Sequence, residues 1–393
     1  MRHYPRVDLT IAIEETLKAG HPWIFADAVG SVDGTAGDIV DVHDTHGQWL
    51  GRGVLDPDSP LRVRLWTLNS QVNVDDRLLE KRIRAAFKRR PFPTTETTGF
   101  RLLHGEGDRI PGLVCDIYGS LAVLRPDGMA AERWIKKARQ VIQQLLPIEH
   151  WVIRRSRKYS GALPQAEWWG EKAEETVTFL ENGLTYEVDP IAGQKTGFFL
   201  DQRANRSRIA RVSRGKRLLN LFGYTGGFSV AAARQEAART TTVDLAKPAL
   251  KTARRHFEIN GLPSSAHGFE AADVFDYLEQ FSDGSAPFEV VVCDPPSFAH
   301  RRSDLPKATA KYEELFARVL SIMPDHSTVA LASCSSHIDR SRFLDIVSAA
   351  AQTSESPLIL SGCWSADVDH PTAIGFTEGD YLQFAQGTIL RDR

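Results

Sequence analysis

Phe288-Glu289-Val290-Val291-Val292-Cys293-Asp294-Pro295-Pro296-Ser297-Phe298 is the stretch on which the reading of the fold turns. The apolar run over 288–292 predicts a strand buried on both faces, as in a parallel sheet. Asp294 then stands at the strand's carboxyl end, where open α/β sheets bind ligands. Pro295 and Pro296 fix φ and lack N–H groups, so neither strand nor helix continues. The carboxylate is thereby held on a rigid rim. An acid, two prolines and an aromatic suit a flat, amino-bearing ring such as a nucleobase. From these residues alone, a strand end and a simple turn read equally well.

Outward from this stretch, strand and helix alternate. Residues 217–222 predict a first strand and 227–238 its helix. Residues 240–243 predict a second strand ending at Asp244. A helix follows over 248–259, with Ala249, Leu250, Ala253 and Phe257 on one face and Asn260-Gly261 as its stop. Residues 327–332 give another strand. The expectation is a doubly wound, Rossmann-like α/β domain over 191–393.

Upstream, Leu61-Arg62-Val63-Arg64-Leu65-Trp66 alternates strictly, and short strands with Gly and Asp-Pro turns predict a small β-barrel over 1–72. Between them, 73–190 reads as α+β: a basic helix over 75–90 ended by Pro91, a hairpin over 113–124, a helix over 130–146 and a strand at 151–153.

Composition sets broad limits. With 393 residues, two or three domains are expected. No 18-residue apolar run exists, which predicts no membrane span, and the first residues lack the apolar core of a signal peptide. Cys115, Cys293, Cys334 and Cys363 form no CxxC pair and no zinc pattern, so free thiols, no metal and a cytoplasmic setting are expected. A net charge of -2 leaves nucleic-acid binding to local patches.

The first predicted strand runs into Asn220-Leu221-Phe222-Gly223-Tyr224-Thr225-Gly226-Gly227, whose glycines allow close backbone approach to a ligand. The G-x-x-G-G spacing differs from the G-x-G-x-x-G of dinucleotide enzymes. Asp244, followed by Leu245, is placed to accept from ribose hydroxyls. Asp273 could accept from an adenine amino group, with Val274 and Phe275 packed on the ring. Each motif alone has a plain alternative, a turn or a helix cap. In this order, ahead of Asp-Pro-Pro, they form the pattern of S-adenosylmethionine methyltransferases.

Cys334 lies in Ser333-Cys334-Ser335-Ser336-His337, after the strand over 327–332, on the same expected rim as Asp294. A lone cysteine there is usually a small buried hydrophobe. A thiolate is also what carbon 5 of a pyrimidine needs: addition at carbon 6 makes carbon 5 nucleophilic. Cys293 is read as packing, Cys115 and Cys363 as structural, and His337 as an exposed loop residue, with a proton acceptor as the alternative.

Over nearly its whole length the chain resembles the RlmI-type family of bacterial large-subunit ribosomal RNA cytosine-carbon-5 methyltransferases. The resemblance rests on His21-Pro22-Trp23-Ile24-Phe25, Glu106-Gly107-Asp108 with Pro111-Gly112-Leu113, and Gln194-Lys195-Thr196-Gly197-Phe198-Phe199-Leu200-Asp201-Gln202-Arg203. The glycine loop, Asp294-Pro295-Pro296-Ser297-Phe298, Ser333-Cys334-Ser335, Asp369-His370-Pro371 and Glu378-Gly379-Asp380-Tyr381-Leu382 extend it. It implies an N-terminal PUA barrel, a central domain and a class I methyltransferase domain, with S-adenosylmethionine as cofactor. Cys334 would be the nucleophile and Asp294 the base-gripping acid. Lys195, Thr196, Gly197, Phe198, Phe199, Asn220, Phe222, Gly223, Tyr224, Thr225, Gly226, Asp244, Leu245, Asp273, Val274 and Asp294 would hold the cofactor. Ser297 stands where the family often carries lysine.

Three basic clusters would supply an RNA path: 77–90, Arg154-Arg155-Ser156-Arg157-Lys158-Tyr159, and Arg203 to Arg217. Ribosomal RNA is the implied partner, and a homodimer stays open. Two other readings remain at this point: an amino-group methyltransferase acting on adenine or guanine, and a non-catalytic RNA-binding factor.

Overall fold

The computed structural model describes residues 4–30, 32–156, 163–173, 176–281, 286–299 and 301–391. Arg157, Lys158 and Tyr159 of the second basic cluster lie outside these. The chain packs as two compact units. The first comprises Met1–Gly183, Val188–Leu200 and Val368–Gly379; the second comprises Leu184–Glu187, Asp201–Asp367 and Asp380–Arg393.

The first unit opens with a five-stranded sheet ordered Arg6–Asp8, Ile39–His43, Trp49–Leu55, Leu61–Thr67, Trp23–Phe25. Its apolar alternation gives a core of its own around Val7, Ile24, Val40, Val42 and Val63. A second five-stranded sheet contains Gly99–His104, Leu113–Tyr118, Leu121–Pro126, His150–Arg154 and Ala166–Trp168. The helices Asp76–Arg89 and Met129–Gln143 share its core, where Trp134 packs 4.7 Å from Trp66 of the first sheet. The Asp75 side chain caps the first of these helices by accepting from the Arg77 and Leu78 amides. Glu106 joins the layers, accepting from the Trp23 indole and the Arg64 guanidinium, each at 2.7 Å. Gly107 beside it has no room for a side chain, because a Cβ would lie 1.7 Å from the Pro371 carbonyl oxygen.

Buried polar side chains knit this unit. Asp116 binds Arg101 through both oxygens at 2.7 and 2.8 Å and accepts from the Thr196 hydroxyl at 2.5 Å. Asp108 accepts from Arg89, Arg90 and the His104 amide. Asp369 accepts from the Arg101 amide at 2.9 Å and pairs with His370 at 2.8 Å.

In the second unit, strands β1 (Arg217–Leu221), β2 (Arg239–Asp244), β3 (Gly268–Ala271), β4 (Val290–Cys293), β5 (Thr328–Ser333), β6 (Leu358–Trp364) and β7 (Gln383–Ile389) form one sheet. Their order is β3-β2-β1-β4-β5-β7-β6, parallel except for β7. The helices are α1 (Arg203–Val212), α2 (Gly227–Arg234), α3 (Lys247–Ile259), α4 (Val274–Glu279), α5 (Leu305–Ile322) and α6 (Arg340–Thr353). Alternate residues of β4 enter different cores: Val291 and Cys293 on one face, Val290 and Val292 on the other. Burial on both faces is why β4 reads as a continuous apolar run.

Two of the boundaries that differ from expectation have a local reason. Strand β4 starts at Val290, with Phe288 packed in the core just ahead of it. Helix α2 stops at Arg234 rather than running to 238, because Glu236 turns to φ 62° and Ala237 bridges to Arg214.

Candidate active site

The order reverses between β1 and β4, so the crevice at their carboxyl ends is the expected ligand position. The glycine loop leaves β1 there. Phe222 and Tyr224 both take left-handed backbone conformations, φ 56° and 47°. Non-glycine residues held so are strained, and such strain gathers at ligand clamps. The loop is stapled to β2: the Gly223 amide donates to the Val243 carbonyl at 2.9 Å, and the Tyr224 amide to Asp244 Oδ2 at 2.8 Å. Gly223 passes so close that a Cβ would lie 2.4 Å from Thr242 Cγ2. Gly226, at φ 76°, starts α2 against Ala253.

These residues fit an adenosyl cofactor. Asn220 Oδ1 is buried without a hydrogen-bond partner, while its Nδ2 donates to Ser229 Oγ at 3.1 Å. Asp244 ends β2 at the rim, and Leu245 beside it is 73% exposed, an apolar side chain available to a ring. Asp273 follows β3 as the N-cap of α4, accepting from the Phe275 amide at 2.8 Å. Val274 is packed in the core, and Phe275 lies beneath Arg318. Thr225 is held from below by a residue given no role in the sequence reading, His256. Its Nδ1 donates to the Thr225 carbonyl at 2.9 Å, leaving Nε2 to accept from the Glu187 amide at 3.0 Å.

Burial pushes the His256 imidazole below its ordinary value. Because the folded value is depressed, its contribution is present above the unfolded value. It is lost as pH falls below about 6.5, where the unfolded chain takes up a proton that the folded ring resists. Urea midpoints at pH 8 and pH 5.5 are expected to differ more for the wild type than for His256→Phe, roughly by the weight of this one group. Equal differences would remove His256 as the source.

Lys195, Thr196, Gly197, Phe198 and Phe199 belong to the first unit. Thr196 is fully buried, between Asp116 and the Tyr118 hydroxyl at 2.9 Å, and the Phe198 amide donates to that hydroxyl at 3.2 Å. Lys195 Nζ lies 4.5 Å over the Phe199 ring.

The expected catalytic pair follows neighbouring strands. Asp294 follows β4 and Cys334 follows β5, with Cys293 in register with Leu331. Asp294 Oδ2 accepts from Gln202 Nε2 at 2.8 Å. Cys334 is partly exposed, and its Sγ lies 3.8 Å from the Pro295 carbonyl oxygen. Ser297, the departure from the family pattern, donates to the Ala299 carbonyl at 3.1 Å. Ser335 donates to the same carbonyl at 3.2 Å, so the two loops share one anchor. Phe298 packs 4.6 Å from the Tyr312 ring, with Lys311 Nζ 4.5 Å over it. Burial raises the Tyr312 phenol far above the neutral range, so it stays protonated beside Cys334. Cys293 and Cys115 are fully buried with thiols pushed well up, which makes them inert. His337, expected as exposed, is half-buried.

The basic clusters are less available than the sequence suggests. In the helix Asp76–Arg89, Arg82 is buried on the Trp66 carbonyl at 2.6 Å, and Arg84 pairs with Glu80. Arg77, Lys81 and Lys88 are exposed on it. In the third cluster, Arg203 is buried on Asp367 and Arg206 is also buried, while Arg214 and Arg217 pair with Glu236 and Glu289. Arg155, in the second, is held by Glu132 and Glu167. Among the described residues, no helix is long and apolar enough to cross a membrane, and no cluster of His, Cys, Asp or Glu suits a metal.

Residues 102–347 match the family described as S-adenosylmethionine-dependent methyltransferase, and 7–68 match the PUA-like domain family. Ribosomal RNA large subunit methyltransferase I of Shewanella denitrificans is 35% identical over 96% of this chain and 98% of its own length. The protein of that name from Photobacterium profundum is 34% identical over 94% and 96%. A solved chain from Streptococcus mutans, described as a SAM-dependent methyltransferase, covers 98% of this chain and 100% of its own, with a TM-score of 0.85 at 23% identity. Another solved chain, described as a methyltransferase complexed with SAH, aligns with a TM-score of 0.85 at 24% identity, covering 98% and 99%.

Proposed function

Because this chain belongs to the ribosomal RNA large subunit methyltransferase I family of S-adenosylmethionine-dependent enzymes, we propose that it methylates carbon 5 of a cytosine in large-subunit ribosomal RNA through a covalent adduct on Cys334. The observation that carries the reading is the approach of Cys334 Sγ to within 3.8 Å of the Pro295 carbonyl oxygen, one residue from Asp294. A partly exposed thiol and a carboxylate on the rim of adjacent strands are what a pyrimidine attacked at carbon, rather than at an amino nitrogen, requires.

The Cys334 thiolate adds to carbon 6. The electron pair of the C5–C6 double bond moves toward carbon 5 and, through C4, to N3, which takes a proton from water. Asp294 holds the N3 and amino edge, and in the adduct both of those positions are donors to it. The carboxylate is therefore better matched to the adduct than to free cytosine, as catalysis needs. When bound, S-adenosylmethionine supplies an electrophilic methyl on a sulfonium sulfur, which carbon 5 takes with release of S-adenosylhomocysteine. Loss of the carbon 5 proton to water re-forms the C5–C6 double bond and expels the thiolate with its electron pair, and N3 gives its proton back to water, leaving neutral 5-methylcytosine. Asp244, Asn220, the 222–226 loop and the residues at 273–274 are read as the cofactor's supports in the second unit. The target base must leave its stack to reach this rim.

RNA carrying 5-fluorocytosine tests the reading. Fluorine at carbon 5 cannot leave as a proton does, so the enzyme is expected to stay covalently bound, stable to denaturing gel electrophoresis. Full turnover of RNA by an enzyme that never traps this analogue would contradict the covalent route and favour methylation of an amino group.

A further inference from the structure

We propose that Gln202 is a positioning residue for Asp294, locked in one orientation by a polar relay through Asn205 and Arg208. The inference rests on the reading of Asp294 as the group that holds the base. Residues 202, 205 and 208 recur every three positions at the start of α1, which puts them on one helix face. Arg208 Nη1 donates to Asn205 Oδ1 at 2.8 Å. Asn205 Nδ2 donates to Gln202 Oε1 at 2.6 Å. Gln202 Nε2 donates to Asp294 Oδ2 at 2.8 Å.

The direction of this chain is fixed by its ends. A guanidinium only donates and an ionised carboxylate only accepts. Turning the Gln202 amide over would set its carbonyl against the carboxylate. Turning Asn205 over would set its NH2 against the guanidinium. Gln202 and Asn205 are both buried, so water is not at hand to repair either mismatch. Arg208 is itself held, with its guanidinium 4.5 Å over the Trp364 ring. Asp294 is thereby set in one rotation about its Cβ–Cγ bond. That rotation matters most once Cys334 has added to the base, when N3–H and the amino group both donate to Asp294. The relay therefore acts on turnover more than on cofactor binding.

On the neighbouring elements Cys293 of β4 and Tyr312 of α5 remain neutral, Cys334 follows β5, and Arg203 of α1 is paired with Asp367 at 2.8 Å. A second carboxylate placed at 202 would thus face Asp294 with Asn205 behind it. Gln202→Glu does this at nearly constant volume. Two carboxylates in contact share one proton, and the shared proton is lost as pH rises. While it is held, the introduced carboxyl donates as the amide does; once it is lost, the pair repels.

The experiment measures transfer of labelled methyl to ribosomal RNA by the full-length enzyme between about pH 6 and pH 9, a span covering the raised value of such a pair. Relative to wild type, Gln202→Glu is expected to lose at least about tenfold in kcat across that span, with KM for S-adenosylmethionine within about twofold. Arg208→Gln is expected to lower kcat about threefold to tenfold without a new pH dependence, the size of one charge-assisted hydrogen bond acting through two others. A Gln202→Glu profile parallel to wild type overturns the proposal even at low activity, because a folding defect scales all pH values alike. The cytosine reading fails separately, if wild type does not trap 5-fluorocytosine RNA; the pH profile of total methyl transfer still decides the relay.

Discussion

Cys334→Ala is expected to lower methyl transfer to RNA by at least about a thousandfold, the scale on which losing a covalent nucleophile falls, while S-adenosylmethionine binds as before. The side chain lost is small and lies at the rim rather than in either core cluster of the sheet, so no cavity forms beneath it. Its neighbours keep their own anchors: Ser335 stays on the Ala299 carbonyl, and Asp294 stays on Gln202. The loss would thus be one of chemistry, not of architecture. Calorimetric titration with S-adenosylmethionine gives the control, and methyl incorporation gives the effect. Cys334→Ser is expected to be nearly as inactive, since a hydroxyl has far less anionic character at neutral pH than a thiol. An alanine variant that keeps more than about a tenth of wild-type kcat would fit amino-group methylation instead, in which the nucleophile is the substrate's own nitrogen.

Asp108→Ala is expected to destabilise the first unit by about 3–5 kcal/mol. Asp108 is fully buried and accepts from two arginines and one amide. Arg89 is half exposed and can turn to water, but the Arg90 side chain is 1% exposed and cannot. Removing the acid strands that guanidinium and leaves the His104 amide without its acceptor, and both losses act in the same direction. Urea denaturation followed by tryptophan fluorescence reads the right unit, because of the eight tryptophans only Trp364 lies in the second. The paired replacement Arg90→Met with Asp108→Ala should recover part of the loss, since no buried charge is then left alone. A midpoint unchanged in Asp108→Ala would mean that Arg90 finds another partner.

What could be read from the sequence depended on range. Strand β4 was legible because burial on both faces writes an unbroken apolar run, and α3 because its apolar stripe and stop signal are local. The barrel-like alternation of Leu61–Thr67 was legible for the same reason. Strands β6 and β7 were not seen: β6 is an edge strand carrying Ser361 and Gly362, and β7 pairs with β5 across some 50 residues, so nothing nearby marks either. At the candidate site, residues inside ordered motifs stood out. His256 did not, and Gln202 lay inside the 194–203 motif without being given a role, because their parts lie in bonds to backbone and to a carboxylate far along the chain. The basic clusters misled in the opposite sense. Arg82, Arg90, Arg203 and Arg206 look like surface charge in a string of letters, yet all four are buried.

The placement of β7 between β5 and β6 sets a clock on synthesis. Strand β5, which leads into Cys334, has β4 on one side and waits for Gln383–Ile389 on the other. A ribosome adding roughly 5–20 residues per second takes several seconds to travel from one to the other, and the same delay separates their emergence from the exit tunnel. Throughout that interval β5 is an open edge with unpaired backbone groups, the kind that recruits stray strands. The nascent chain is therefore exposed to mispairing at this edge once its candidate nucleophile has emerged. A chain stopped short of residue 383 would carry every motif of the active site on a sheet whose β5 edge is never covered.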